Sequence, residues 1–293
     1  MGHARESLEA GAPVRQGPTE LSLRVASSVV LVVLALLATY EGGFLFALLW
    51  LLAGLAMLVE WLAMTRCEPE RALQVALGIA LIALAGAAAL RGGGVAWGLG
   101  VLAVAGLTAA ILGRTGRDRS WAAAGLGYAA VIVLVPPLVR EHPGLGIAGI
   151  LWMFAVVWAS DIAAYFTGRR FGGPKLWPSV SPKKTWSGFV GGLVAGVAAG
   201  TLVAVVARRF GWTPLAGIPV VMLVSALASV LGQLGDLAES ALKRRFGVKD
   251  SGHLIPGHGG VMDRLDAFWA VAALMALILA GAHGVRAGWA AGA

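Results

Sequence analysis

Apolar stretches of about twenty residues, each closed by a short polar or glycine-rich break, follow one another along almost the whole chain. They fall near 22–40, 43–63, 72–90, 95–113, 121–139, 146–167, 188–207, 214–235 and 262–283. Twenty helical residues rising 1.5 Å each cover the roughly 30 Å hydrocarbon core of a bilayer, so the pattern predicts nine transmembrane helices. The expected fold is all-α: a polytopic integral membrane helix bundle with little chain left for a separate soluble domain. Residues 1–21 read as a disordered cytoplasmic tail and 22–145 as the N-terminal spans. Residues 146–283 read as the C-terminal spans with cytoplasmic loops, and 284–293 as an extracytoplasmic tail.

Composition agrees with this pattern. Hydrophobic residues make up 58% of the chain and charged ones 13%, where a soluble domain carries about a quarter charged. The mean hydropathy is +0.82. The first residues, with Glu6, Glu9, Gly11, Pro13, Gly17 and Pro18, are too acidic and broken for a cleavable signal. Cys67 is the only cysteine, which excludes an intramolecular disulfide framework and a thiolate-rich zinc site. The five histidines are too scattered for an HExxH pair. Any chemistry must use carboxylates, lysines and arginines.

The net charge of +8 would suggest nucleic acid in a soluble protein, but here the cations sort by side of the membrane. Eighteen of the 23 Lys and Arg residues fall in the N-terminal tail and the loops after the second, fourth, sixth and eighth spans. Arg91, Arg140, Arg208, Arg209 and Arg286 lie on the other face. The positive-inside rule then places the N-terminus and those loops in the cytoplasm. The basic balance reports orientation and implies no nucleic-acid partner.

Tryptophans such as Trp61, Trp97, Trp121, Trp186 and Trp212 fall near predicted span ends, where an amphipathic ring suits the headgroup layer. Gly188, Gly192, Gly196 and Gly200 recur every fourth residue along one face of the seventh span. Such a face lets a neighbouring helix approach closely, and it permits a homodimer as well as an internal contact.

The polar residues are unevenly placed. Of six aspartates, five lie between residues 161 and 266, and no comparable chemical cluster is seen before residue 150. Asp161 sits within a span, where an unpaired carboxylate costs about 3 kcal/mol, and is expected to have a partner. Asp236 and Glu239 share a helical face at one span end, as do Asp263 and Asp266 at the next span start. Carboxylates without a thiolate or histidine set are hard oxygen ligands that suit Mg²⁺; as surface ion pairs with Lys243, Arg244 or Arg264 they would contribute little. Between them, Gly257-His258-Gly259-Gly260 makes a backbone that can approach a phosphate. A second loop, Pro178 to Thr185, sets Ser181, Lys183, Lys184 and Thr185 before a helix start, a place that favours anions.

From Ser240 to Asp266 the chain carries Lys243-Arg244, then Lys249-Asp250, then Pro256-Gly257-His258-Gly259-Gly260, then Asp263-Arg264-Leu265-Asp266. This run resembles the signature of phosphatidate cytidylyltransferases, also called CDP-diacylglycerol synthases. Ser160-Asp161 with Ala164-Tyr165 and Gly168-Arg169, and Ser181-Pro182-Lys183-Lys184-Thr185-Trp186, are similar to two further blocks of that family. The resemblance is strong over about 150–270. One departure is Ser187, where members often carry Glu or Gln.

The resemblance implies a membrane enzyme of phospholipid synthesis that converts CTP and phosphatidic acid to CDP-diacylglycerol and pyrophosphate at a cytoplasmic mouth open to lipid. It implies two cation sites, one for Mg²⁺ and one open to a monovalent ion. The catalytic set expected from it is Asp236, Asp263, Asp266, Lys243, Arg264 and His258, with the three aspartates holding metal. Substrate contacts are expected from Asp161, Ser181, Lys183, Lys184, Thr185, Arg244, Lys249, Asp250, Gly259 and Gly260. Two competing readings are a CTP-dependent lipid-alcohol kinase, which would move the γ-phosphate, and a cation-coupled transporter using Asp161.

Overall fold

The computed structural model describes residues 20–89, 94–212, 216–255 and 259–291. The chain order is α1 (Glu20–Glu41), α2 (Gly43–Thr65), α3 (Glu70–Ala89), α4 (Gly94–Leu112), α5 (Gly116–Glu141), α6 (Gly146–Phe171), β1 (Lys175–Trp177), β2 (Ser181–Thr185), α7 (Trp186–Arg209), α8 (Ile218–Arg245) and α9 (Met262–Ala291). Each expected span coincides with one helix. Seven are long and apolar enough to cross a membrane over their described residues; the described parts of α1 and α4, Ser27–Glu41 and Ala103–Leu112, are shorter apolar helices. The expected tails at 1–21 and 284–293 fall largely outside the described residues, except that α1 starts at Glu20 and α9 runs on to Ala291.

The helix ends follow from local chemistry. Thr115 and Asp118 form a reciprocal capping box at the start of α5, with each side chain accepting the other's backbone N–H. Arg66 closes α2 in the left-handed region at φ 54°, where its N–H and that of Cys67 reach back to Ala63 and Leu62. At this end of the bundle the turns lock together. Arg117 donates to the Thr65 carbonyl, Glu68 pairs with Arg114, and Arg245 lies over the Trp121 ring at 5.3 Å. Cys67 is buried here, and burial pushes its thiol above the ordinary range, which makes it an inert packing residue.

The core has two parts. One is aliphatic, built from Leu58, Leu62, Leu73, Leu77, Leu81 and Leu84 on α2 and α3. The other is aromatic: Trp50 stacks on Phe268 at 4.8 Å, and Tyr128 stacks between Trp61 at 5.0 Å and Trp269 at 4.5 Å. Trp61 is therefore not an interfacial belt residue as its position near a span end suggested. It is 6% exposed and donates its Nε1–H to the Trp121 carbonyl. Outward rings of Val, Leu and Ile, such as Val75, Ile79 and Ile82 on α3, remain exposed as a lipid-facing surface requires.

The glycine face of α7 is used within the chain. Gly188, Gly192, Gly196 and Gly200 are all buried. An added Cβ would lie 2.8 Å from the Ala164 carbonyl at Gly188 and 2.9 Å from the Ser160 carbonyl at Gly192, both on α6. On the other side α8 presents Ser225 and Ser229, which bond across to Trp152 and Ser160 of α6 at 2.8 Å each. Small residues let three helices meet at backbone distance, with hydroxyls satisfying one another inside the seam.

The segment between α6 and α7, expected as a loop, is a short antiparallel hairpin in which Lys175 pairs with Thr185 and Trp177 with Ser181. It emerges from Gly172 and Gly173, both with positive φ, and ends in Thr185, whose side chain accepts the Gly188 N–H to cap α7.

Candidate active site

The C-terminal turns of α8, the first turn of α9 and the hairpin come together at one end of the bundle. On α8, Asp236, Glu239 and Lys243 lie three and four residues apart and share a face. Lys243 stands in the last turn, where the helix dipole favours a cation, and Asp263 in the first turn of α9, where it favours an anion. Lys243 Nζ lies 2.6 Å from Asp263 Oδ1 and 3.6 Å from Glu239 Oε1. Asp263 Oδ2 accepts the backbone N–H groups of Ser251 and Gly260 at 3.0 and 2.9 Å. Its carboxylate is thus fully engaged, half by a lysine and half by the glycine turn.

Asp236 is bound from the hairpin: Lys184 Nζ is 2.6 Å from its Oδ2. Asp266 accepts its neighbour's N–H from Ala267 at 2.7 Å and faces Glu239 across the α8–α9 contact. Glu239 is 4% exposed, and neither of its oxygens accepts a hydrogen bond among the described residues. Asp161 on α6 faces the charges of Asp266, Asp236, Lys184 and Arg264. The partner expected for Asp161 is not found: among the described residues no hydrogen bond or ion pair reaches it, and it remains exposed beside Ile162, Tyr165 and Phe166.

The expected site residues therefore divide. Asp236, Lys184, Lys243, Asp263 and Asp266 converge, and Asp161 faces them. Thr185 is buried and occupied as the α7 cap. Lys183, Arg244, Lys249, Asp250 and Arg264 are exposed around the rim, and Ser181 is half-buried in the hairpin. Gly259 has φ +82°, and a Cβ there would lie 3.1 Å from Asp263 Oδ2, so this position requires glycine for conformation and for close approach. His258 lies outside the described residues. Ser187, the departure from the family pattern, donates its Oγ–H to the Gly172 carbonyl at 2.5 Å and so ties the hairpin's entry to its exit.

Two acids lie outside the site residues expected from the sequence. Glu239 was paired with Asp236 by spacing but not placed in the site, although it is the most enclosed carboxylate of the cluster. Glu60 on α2 had no reading at all. It is 3% exposed and accepts three bonds from the far loop: Val261 N–H at 2.9 Å, Met262 N–H at 2.8 Å and Ser251 Oγ–H at 3.3 Å. The sequence signal available was a single acid, Glu60, inside an otherwise apolar span.

Among the described residues no three acidic, histidine or cysteine side chains converge as a closed metal cage. Mg²⁺ does not need one, since it commonly binds through one or two carboxylates together with substrate phosphates and water. The Glu239–Asp266 pair, two carboxyl groups facing each other with Lys243 3.6 Å from Glu239 Oε1, fits that requirement. Asp263 fits it less well, because its oxygens already take Lys243 and two amides.

The profile of the cytidylyltransferase family matches residues 22–281. A phosphatidate cytidylyltransferase of Brucella suis biovar 1 is 44% identical over 260 residues, 88% of this chain and 93% of the relative. Those of Staphylococcus haemolyticus and Bacillus subtilis are 46% and 43% identical over 134 and 142 residues, about half of each chain. With the family profile running through residues 22–281 and a relative 44% identical over most of both chains, the chain belongs to the cytidylyltransferase family.

Proposed function

We infer that the chain is a phosphatidate cytidylyltransferase, which moves the CMP unit of CTP onto phosphatidic acid and releases pyrophosphate, leaving CDP-diacylglycerol in the membrane. The observation that carries this reading is the alternation of Lys184, Asp236, Lys243 and Asp263 at the helix ends, beside the uncovered Asp161. Lysines held by carboxylates 2.6 Å away are fixed in place and can turn to incoming phosphate oxygens.

Mg²⁺ bound at Asp266 and Glu239, with Asp236 at the margin, would polarise the phosphates and offset the charge of the leaving pyrophosphate. Lys184 on the hairpin receives the triphosphate tail as Asp236 is released from it. Lys243 holds Asp263, and through Asp263 the Ser251 and Gly260 amides are aligned as the wall against which the α-phosphate rests. Asp161 faces the lipid side, where the exposed Ile162 and Phe166 offer acyl-chain contact. Phosphatidate needs no strong general base, because a phosphomonoester is mostly ionised at pH 7; His258 serves as a donor or turn-ordering residue. The rim cations Lys183, Arg244, Lys249 and Arg264 steer both anions.

We place the site and the N-terminus in the cytoplasm because eighteen of the 23 Lys and Arg residues fall in the N-terminal tail and the loops after the even-numbered spans; in bacteria, where the named relatives occur, the corresponding membrane is the plasma membrane. Conversion of phosphatidate by the purified protein in detergent with α-labelled CTP and Mg²⁺ tests the reading. Label is expected in the lipid phase with release of pyrophosphate, falling about a hundredfold in Asp263→Asn. Label from γ-labelled CTP in lipid instead would make the chain a lipid kinase, and no transfer at all from folded protein would favour the transporter.

A further inference from the structure

Glu60 has no place in the reaction just described, yet it is a buried carboxylate with both oxygens engaged. Its Oε1 accepts Val261 N–H, and its Oε2 accepts Met262 N–H and the Ser251 hydroxyl. These three groups bracket the loop that leads into α9. Gly252 and Gly260 press against the same side chain: a Cβ would stand 2.6 Å from Glu60 Oε1 at Gly252 and 2.7 Å from Oε2 at Gly260. The Asp263 carboxylate grips this loop from the other side through the Ser251 and Gly260 amides. Two carboxylates from opposite ends of the sequence therefore hold one short backbone segment between them.

We propose that Glu60 is a positioning residue of the cytidylyl-transfer site: it ties Ser251, Val261 and Met262 to α2 and thereby sets where the Asp263 and Asp266 carboxylates stand. The proposal rests on the reading of the site given above. The free N–H groups at the start of α9 would otherwise be unpaired, so Glu60 both caps that helix and fixes its rotation. A carboxylate is required because both oxygens must accept. In Glu60→Gln one oxygen becomes an N–H₂, which in either flip meets a backbone N–H. Glu60→Asp keeps two acceptors on a shorter arm.

This gives an ordering that simple packing does not. If Glu60 only filled space, the isosteric glutamine would be tolerated better than aspartate. As a positioning residue, Glu60→Asp should keep at least about tenfold more kcat than Glu60→Gln, and Glu60→Gln should fall about ten- to hundredfold below the parent. Gly54→Ala on the same helix, which crowds Val133 on α5, serves as a packing lesion away from the site and should lose thermal stability while keeping kcat per folded molecule. Amide exchange at Val261 and Met262 should quicken in Glu60→Gln and not in Gly54→Ala.

Glu60→Gln within threefold of the parent, glutamine outperforming aspartate, or unchanged exchange at Val261 and Met262 would each overturn the proposal. If Glu60→Gln does not accumulate as folded protein, Ser251→Ala removes one of the three contacts and should lower kcat several-fold; parental turnover there would overturn it equally. Exchange is read without turnover. A parent chain that makes no CDP-lipid would therefore defeat the functional reading, while the exchange data would still decide the role of Glu60.

Discussion

Lys184 on the hairpin and Asp236 on α8 form an ion pair at 2.6 Å, and this contact joins the polar outgrowth between α6 and α7 to the acid-bearing end of the bundle. Both partners are partly exposed, at 26% and 34%, so screening limits the pair to about 0–1 kcal/mol of stability. Its value lies in aiming the ammonium. Lys184→Met should leave thermal unfolding almost unchanged and raise the KM for CTP about ten- to hundredfold, the usual range for loss of one charge-assisted phosphate contact. An unchanged KM in steady-state assays would reduce Lys184 to a surface tether.

The cation requirement should follow the Glu239–Asp266 pair. Replacing either by its amide, Glu239→Gln or Asp266→Asn, is expected to raise the Mg²⁺ concentration for half-maximal turnover about tenfold or more. Asp250→Asn, exposed at the rim, should shift it much less. Magnesium titrations of the three variants decide the matter, and parental curves for both amides would move the cation elsewhere.

Acidity should act through the lipid substrate. The dianion of phosphatidate is the nucleophile and its second pKa is about 6, so the rate should rise as pH increases from about 5.5 to 7 and level off above. The pH–rate profile of His258→Gln should be lower but keep that rise. A flat profile in the variant would assign the base to His258.

The α7 seam should be intolerant of any side chain. Gly196→Ala would place a methyl 3.0 Å from the Ser229 Cβ and closer still to the Ser160 hydroxyl, at a cost of about 1–3 kcal/mol. Gly86→Ala on α3, where nothing lies within 4 Å, should be neutral or slightly stabilising. Thermal unfolding in detergent compares the two directly; equal midpoints would mean that the seam is looser than described.

Much of the bundle was legible because a span must be both long and apolar, and nothing else in the chain imitates twenty such residues. The signature acids were legible for a related reason: charges near lipid are costly and need a purpose. The hairpin was not, since two short strands containing Pro182 show no alternation of apolar and polar residues. Glycine spacing on α7 revealed a close contact but no partner, because a small face is equally suited to α6, α8 or another molecule. Asp161 was expected to be paired, but it faces the other charges without touching them. Glu60 was invisible for the plainest reason: its meaning lies in backbone amides about 200 residues away.

That separation also bears on how the protein is made. Glu60 enters the membrane with α2, whereas Ser251, Val261 and Met262 follow 191–202 residues later. At about 5–20 residues per second, roughly 10–40 s pass between their syntheses. During that interval an acid that would cost about 2.5–3.5 kcal/mol at a helix centre has no partner, and its place close to the Thr65 end of α2 lets it reach water while it waits. Arrival of α9 then converts a weakness in an early helix into the bond that closes the bundle, so biogenesis must end with the last span before the site can exist.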